Sequence, residues 1–174
     1  MFRDVVTVFN FHEPSGLWHT TVFKNCDLRE ARADRRTAGS GEVNESKVTL
    51  LINVKQDKSA HTIIYEPNRI VDNLGNGLLS GDRVMLSYTD PDTSEVKRYA
   101  GPKAYAQLEN PGGFFTFKPA CDFMAAGNFF SEPIRDDDYD EGLYHAMNLA
   151  QDEVYMITSA AFFGLIPHFE IGGA

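Results

Sequence analysis

Hydrophobic and polar positions alternate most strictly over residues 47–54, where Val48, Leu50, Ile52 and Val54 share one face of an extended chain. A strand with one buried face is predicted there. Residues 4–11 and 18–23 are rich in β-branched and aromatic side chains, and Glu13-Pro14-Ser15-Gly16 between them puts Pro and Gly where a type I turn takes them. The chain therefore opens on a β-hairpin. Residues 61–66, 82–89 and 95–100 predict further strands, the last two joined around Pro91, and Leu74-Gly75-Asn76-Gly77 predicts a loop. Strands are also expected at 114–117, 154–159 and 168–171.

Helical spacing is sparser. Pro102 can open a short helical turn through Leu108, because a proline at the first helical position lacks only an N–H that would have no partner. From Asp136 onward, Tyr139, Leu143, Met147 and Ala150 form a stripe suited to an amphipathic helix, with Asp137, Asp138 and Asp140 near its start, where the helix dipole favours acids. Arg29, Arg32 and Arg36 also recur at helical spacing, followed by a loop or hinge at Thr37-Ala38-Gly39-Ser40-Gly41. The pattern predicts one domain over 1–174, mainly β: a small β-barrel or β-sandwich with long loops, an inserted β-hairpin within 59–100 and one peripheral α-helix.

Composition agrees with a packed domain. The 174 residues are 43% apolar and 24% charged, and 14 Gly, 8 Pro and 13 Phe suit many turns around an aromatic core. The formal charge of −9 argues against general nucleic-acid binding, which draws its affinity from Lys and Arg displacing counterions. Cys26 and Cys121 have no CxxC spacing, so neither a zinc site nor a disulfide framework is signalled. The opening Met1-Phe2-Arg3-Asp4 lacks the order of a signal peptide, which predicts a reducing cytoplasm. Residues 154–166 are apolar but interrupted by Thr158, Ser159 and Gly164, and fall short of the ~20 residues that span a bilayer.

Catalytic signatures are weak. Gly39-Ser40-Gly41 would need glycines at Ala38 and Glu42 to make a nucleophile elbow, and Gly75-Asn76-Gly77 lacks the third glycine of a dinucleotide fingerprint at Ser80. Asp136-Asp137-Asp138-Tyr139-Asp140-Glu141-Gly142 offers carboxylates to a hard cation, but Asn148 stands where a calcium loop begun at Asp137 needs its bidentate glutamate. His12 and His19 flank the first turn and could face each other as two metal ligands, with no third apparent. The expectation is no catalytic, cofactor or metal site. Arg29, Arg32, Arg36, Asp136, Asp137, Asp138 and Asp140 are instead candidate subunit-interface residues.

Three segments together resemble a family of small tailed-bacteriophage head and neck proteins: Asp4-Val5-Val6-Thr7-Val8-Phe9-Asn10, Gly101-Pro102-Lys103-Ala104-Tyr105, and Ile166-Pro167-His168-Phe169-Glu170-Ile171-Gly172-Gly173. Phe117-Lys118-Pro119 with Asp122-Phe123 and Gly127 is similar to that family's Pro-x-x-Asp stretch, and Val154-Tyr155-Met156-Ile157-Thr158-Ser159 to its penultimate strand. The order of elements further resembles siphophage head-closure, or stopper, proteins. That resemblance implies a small β-barrel assembled as a homo-oligomeric ring, usually a hexamer, between the portal-adaptor complex and a tail-terminator-like protein. It also implies a virion component assembled in the bacterial host cytoplasm, without sequence-specific nucleic-acid binding or a membrane. Two rival expectations are a capsid decoration or other binding module, and a metal-dependent hydrolase in which Asp137 and Asp140 converge with a histidine.

Overall fold

The structure is a computed structural model and describes residues 4–30, 47–57, 64–66, 69–71 and 85–174. Its strands are β1 Asp4–His12, β2 Leu17–Glu30, β3 Val48–Asn53, β4 Lys55–Asp57, β5 Ile64–Glu66, β6 Arg69–Val71, β7 Met85–Thr89, β8 Val96–Tyr99, β9 Phe114–Phe115, β10 Phe123–Ala126, β11 Ile134–Arg135, β12 Val154–Phe163 and β13 His168–Gly173. The helices are α1 Pro102–Tyr105 and α2 Leu143–Ala150. The fold is mainly β. Six antiparallel strands close in the order β1-β10-β12-β13-β3-β2 and back to β1, and β11 adds a short seventh strand beside β2.

Closure depends on strands long enough to serve two neighbours. β2 pairs with β1 from Leu17 to Cys26 and with β3 from Asp27 to Glu30. The register shifts where Asn25 takes φ +55°, a left-handed conformation that asparagine tolerates better than most residues, and this bulge bends the strand around the barrel. The first hairpin turn forms as its sequence predicts. Ser15 and Gly16 donate their N–H groups to the His12 carbonyl, with Gly16 at φ +66°.

Alternation along each stave fills the interior. Val6, Val8, Phe23, Val48, Leu50, Ile52, Met124, Ile157, Phe169 and Ile171 form one buried cluster, joined by Phe115 and Phe117. A second sheet in the order β4-β7-β8-β9 packs over it and adds Leu86 and Tyr88. Phe23 contacts the Tyr88 ring at 4.7 Å and the Phe115 ring at 5.2 Å, so barrel and second sheet share one core. On the outside of β1, Phe9 stacks on Phe123 at 4.4 Å, and Trp18, Leu143 and Val154 complete a second cluster beneath α2.

Three expectations need correction, and one stave went unpredicted. The helix expected from Asp136 begins only at Leu143: Asp136–Asp138 is a single 3-10 turn, and Gly142 at φ +84° breaks the chain direction before α2. The acidic run therefore precedes the helix instead of forming its first turn. Arg29 lies in β2, so helical spacing does not apply to it, while Arg32, Arg36 and the loop at 37–41 fall outside the described residues. The strand expected at 114–117 is only the two residues of β9. β10 was not predicted at all, yet it is a barrel stave. The loop at 74–77 and residues 61–63 and 82–84 of two predicted strands also fall outside the described residues.

Candidate functional site

Two features stand apart from the ordinary packing of the barrel: a knot of buried polar groups at one end, and a hairpin arm whose apolar tip is exposed.

The knot is built on β1 and β2. Paired residues of antiparallel strands face the same way, so the Asn10↔His19 and His12↔Leu17 pairs put Asn10, His12 and His19 on the face that Val6, Val8 and Phe23 fill further along. His12 and His19 do meet, with ring centroids 6.2 Å apart and planes at 82°. α1 brings a third ring, Tyr105, to 5.9 Å from His12. Deeper, the Asn10 amide donates to the Thr116 carbonyl at 2.6 Å and to Asp122 Oδ2 at 3.0 Å, and the backbone N–H groups of Phe11 and Lys118 also donate to Asp122.

Burial dominates the electrostatics of this knot. It pushes the Asp122 carboxyl up to about 6, against the pull of its N–H donors. Burial, then the neighbouring His12 and Lys97, lowers His19 to about 4, so that imidazole is neutral at pH 7. Tyr105 is raised by burial and by the Asp122 charge. Among the described residues, four buried side-chain atoms have no protein partner: His12 Nε2, His19 Nε2, the Tyr105 hydroxyl and Thr116 Oγ1. His12 Nδ1 lies 2.8 Å from Ser15 Oγ, which itself donates to the His12 carbonyl. His12 and His19 line a cleft of about 370 Å³ together with Glu109 and the Pro111-Gly112-Gly113 turn.

The hydrogen bonds of this knot satisfy the buried Asn10 amide and the Asp122 carboxyl. Among the described residues, no three His, Cys, Asp or Glu side chains come together in a way that could hold a metal ion. Neither cysteine is an activated nucleophile, since burial raises the Cys26 thiol to about 12 and raises Cys121 as well. Asp137, Asp138 and Asp140 are exposed, and Asp136 is turned inward, accepting hydrogen bonds from Trp18 and Leu143. Arg29 pairs with Asp27 at 2.6 Å and lies towards the opposite end of β2 from Trp18, the residue that binds Asp136.

The arm is the β12–β13 hairpin, whose β13 strand stays paired with β3 out to His168↔Asn53. Ladder pairing continues out to Phe163↔His168, yet every residue from 159 to 166 is exposed. Phe162 packs on Phe169 at 5.4 Å and Phe163 stacks on His168 at 5.0 Å, which braces the tip. Beyond them Leu165 is 99% and Ile166 71% exposed. Polar residues ordinarily occupy such a turn.

No family model, curated protein or solved structure matches the chain. Function is therefore argued from the geometry and from the resemblance already described. Sequence reading brought His12 and His19 together but missed Asn10, Tyr105, Thr116 and Asp122, which only the barrel's closure assembles. It also passed over the tip, although a Gly164-Leu165-Ile166-Pro167 turn between two apolar strands is a visible anomaly. Among the described residues, no helix is long and apolar enough to cross a membrane.

Proposed function

We propose that this chain is a virion structural protein of the phage head-to-tail connection, a head-closure-like subunit that forms a ring between the portal-adaptor complex and the tail and performs no covalent chemistry. The observation that carries this reading is the exposed, apolar-tipped β12–β13 arm of a closed barrel. Closure pairs most strand edges of the barrel, and among the described residues 159–163 of β12 pair in a ladder with β13 alone, so side chains, loops and that edge are what the fold offers a neighbour. An arm with apolar side chains at its end suits insertion into a neighbouring subunit. The barrel with few helices is also the architecture that the stopper resemblance implies.

The net charge of −9 suits a DNA-conducting position, where like charge on the lumen would keep the passing genome from adhering. Asp137, Asp138 and Asp140 are exposed and free to contribute. The test is to mix the purified protein with portal-adaptor particles of the same phage and image them. A sixfold cap on the adaptor face is expected. Failure to cap those particles, with binding to assembled capsids instead, would replace this reading with capsid decoration.

A further inference from the structure

One strand edge of the barrel runs on past its neighbour at an uncharged, apolar stretch. We propose that two copies of this chain pair edge to edge through residues 159–163 of β12, antiparallel about a two-fold axis at Ala161. This goes beyond the ring reading and does not rest on it.

The edge opens where the barrel wall ends. On its β10 side, β12 is covered only as far as Ile157, whose N–H donates to the Asp122 carbonyl and whose carbonyl accepts the Ala120 N–H. The register with β13 then shifts between Ile157 and Ser159, and among the described residues 159–163 pair in a ladder with β13 alone. Alternate residues of that stretch turn their N–H and C=O groups away from β13. Natural edges are blunted by lysine, proline or an inward-pointing charge, and Ser159-Ala160-Ala161-Phe162-Phe163 contains none of these. Because β13 is backed by β3 out to His168↔Asn53, the edge borders a three-stranded sheet and not a lone hairpin.

The edge is its own complement. Antiparallel pairing about Ala161 sets Phe163 opposite Ser159, Phe162 opposite Ala160 and Ala161 opposite its own copy. Each ring thus lies across from a small side chain, and no like charges are opposed. Residues 154–167 include no Asp, Glu, Lys or Arg, so in a chain of net charge −9 this is a surface on which two copies meet without local repulsion. Length agrees as well. An incoming strand stops at Ile157, where the edge is taken, and at Gly164, where the turn begins, which leaves the same five residues on each copy.

The area fits a reversible dimer. Phe162, Phe163, Leu165 and Ile166 are 37%, 44%, 99% and 71% exposed. At about 150–200 Å² for each fully exposed residue, one arm offers roughly 400–500 Å² and two arms up to about 1,000 Å², the lower limit for a specific interface. A contact between identical patches is isologous and closes at two copies. The arm that the ring reading sends into a neighbour is thereby covered in the free protein.

Sedimentation of the full chain over a range of concentrations, without phage particles, should show monomer giving way to dimer. Monomer up to the limit of solubility would overturn the proposal. Ala161→Cys in a Cys121→Ser background should oxidise to covalent dimers at least tenfold faster than Gly164→Cys, since residue 161 meets its own copy at the axis. Faster dimers from Gly164→Cys would mean tip-to-tip contact and overturn the edge pairing. Ala161→Lys and Ala161→Asp each oppose like charges at the axis and should weaken dimerisation roughly tenfold or more, with the melting temperature of the dilute monomer unchanged at this exposed site. Mixing the two variants should restore the dimer, and a mixture that stays monomeric would overturn the two-fold register. None of these readouts uses portal-adaptor particles, so a missing ring on particles would sink the ring reading and leave the dimer standing.

Discussion

The Trp18 indole N–H donates to Asp136 Oδ1 at 2.7 Å, and the same oxygen accepts the Leu143 backbone N–H at 2.8 Å. One carboxylate thus ties the first hairpin to the start of α2 from seven residues upstream, a capping role that helix-dipole reasoning assigned to the whole acidic run. Asp136→Ala should cost about 2 kcal/mol, since it leaves two donors without their charged acceptor. Ala at Asp137, Asp138 or Asp140 should change stability by less than about 0.5 kcal/mol. Urea denaturation of the four variants checks the contrast, and equal effects at all four positions would dismiss the Asp136 tie.

Gly173 is the tightest point of the barrel wall. A Cβ there would meet Met124 Cε and lie 3.0 Å from both Tyr155 Cβ and Val48 Cγ2. Gly173 is itself buried between Ile157 and Val48 in the ladders of β12 and β3. Gly173→Ala should therefore destabilise by about 1–3 kcal/mol through overpacking. Thermal unfolding of this variant should show a clearly lowered midpoint, while Gly112→Ala, with open space around its Cβ, should melt near wild type.

What the sequence made legible follows from how local each signal was. Val48, Leu50 and Ile52 alternate on a strand buried on one face, and the structure keeps them buried. β10 escaped because Phe123, Met124 and Ala125 are buried on both faces, Phe123 under α2 and Met124 in the barrel, so no alternation betrays the strand. The helix start was misplaced by the stripe at Tyr139, which continues the period without joining the helix, because Gly142 intervenes with a positive φ. The polar knot was only half legible. His12 and His19 are neighbours across a hairpin, whereas Tyr105, Thr116 and Asp122 reach them only through long-range closure.

Among the described residues, three of the four buried atoms without protein partners belong to His12, His19 and Tyr105, whose rings meet, and the fourth to Thr116, whose backbone bonds to Asn10. Buried polar groups of native proteins are almost always satisfied, and a water needs two to four polar partners. A crystal structure of this protein should show ordered water bridging His12 Nε2, His19 Nε2 and the Tyr105 hydroxyl. Tyr105→Phe should then be nearly neutral, changing stability by less than about 1 kcal/mol, because it removes a hydroxyl whose partner is solvent. A loss of several kcal/mol would mean that the hydroxyl is bonded to protein.

The same knot predicts an unusual response to acid. His19 is lowered to about 4 from 6.5, so between those values the unfolded chain holds a proton that the folded chain does not, and stability falls as pH drops from 6.5 to 4. Asp122 is raised to about 6 from 3.8, so the folded state binds the extra proton; its contribution is full below 3.8 and is lost as pH rises through 6. The two slopes oppose each other across their shared window. His19→Gln deletes the first and leaves the second, so the variant should gain stability relative to wild type as pH is lowered from about 7 to about 4. Urea midpoints of both proteins across that range measure the difference. Parallel curves would show that His19 titrates alike in the folded and unfolded chain, and would remove burial of its neutral ring as the cause.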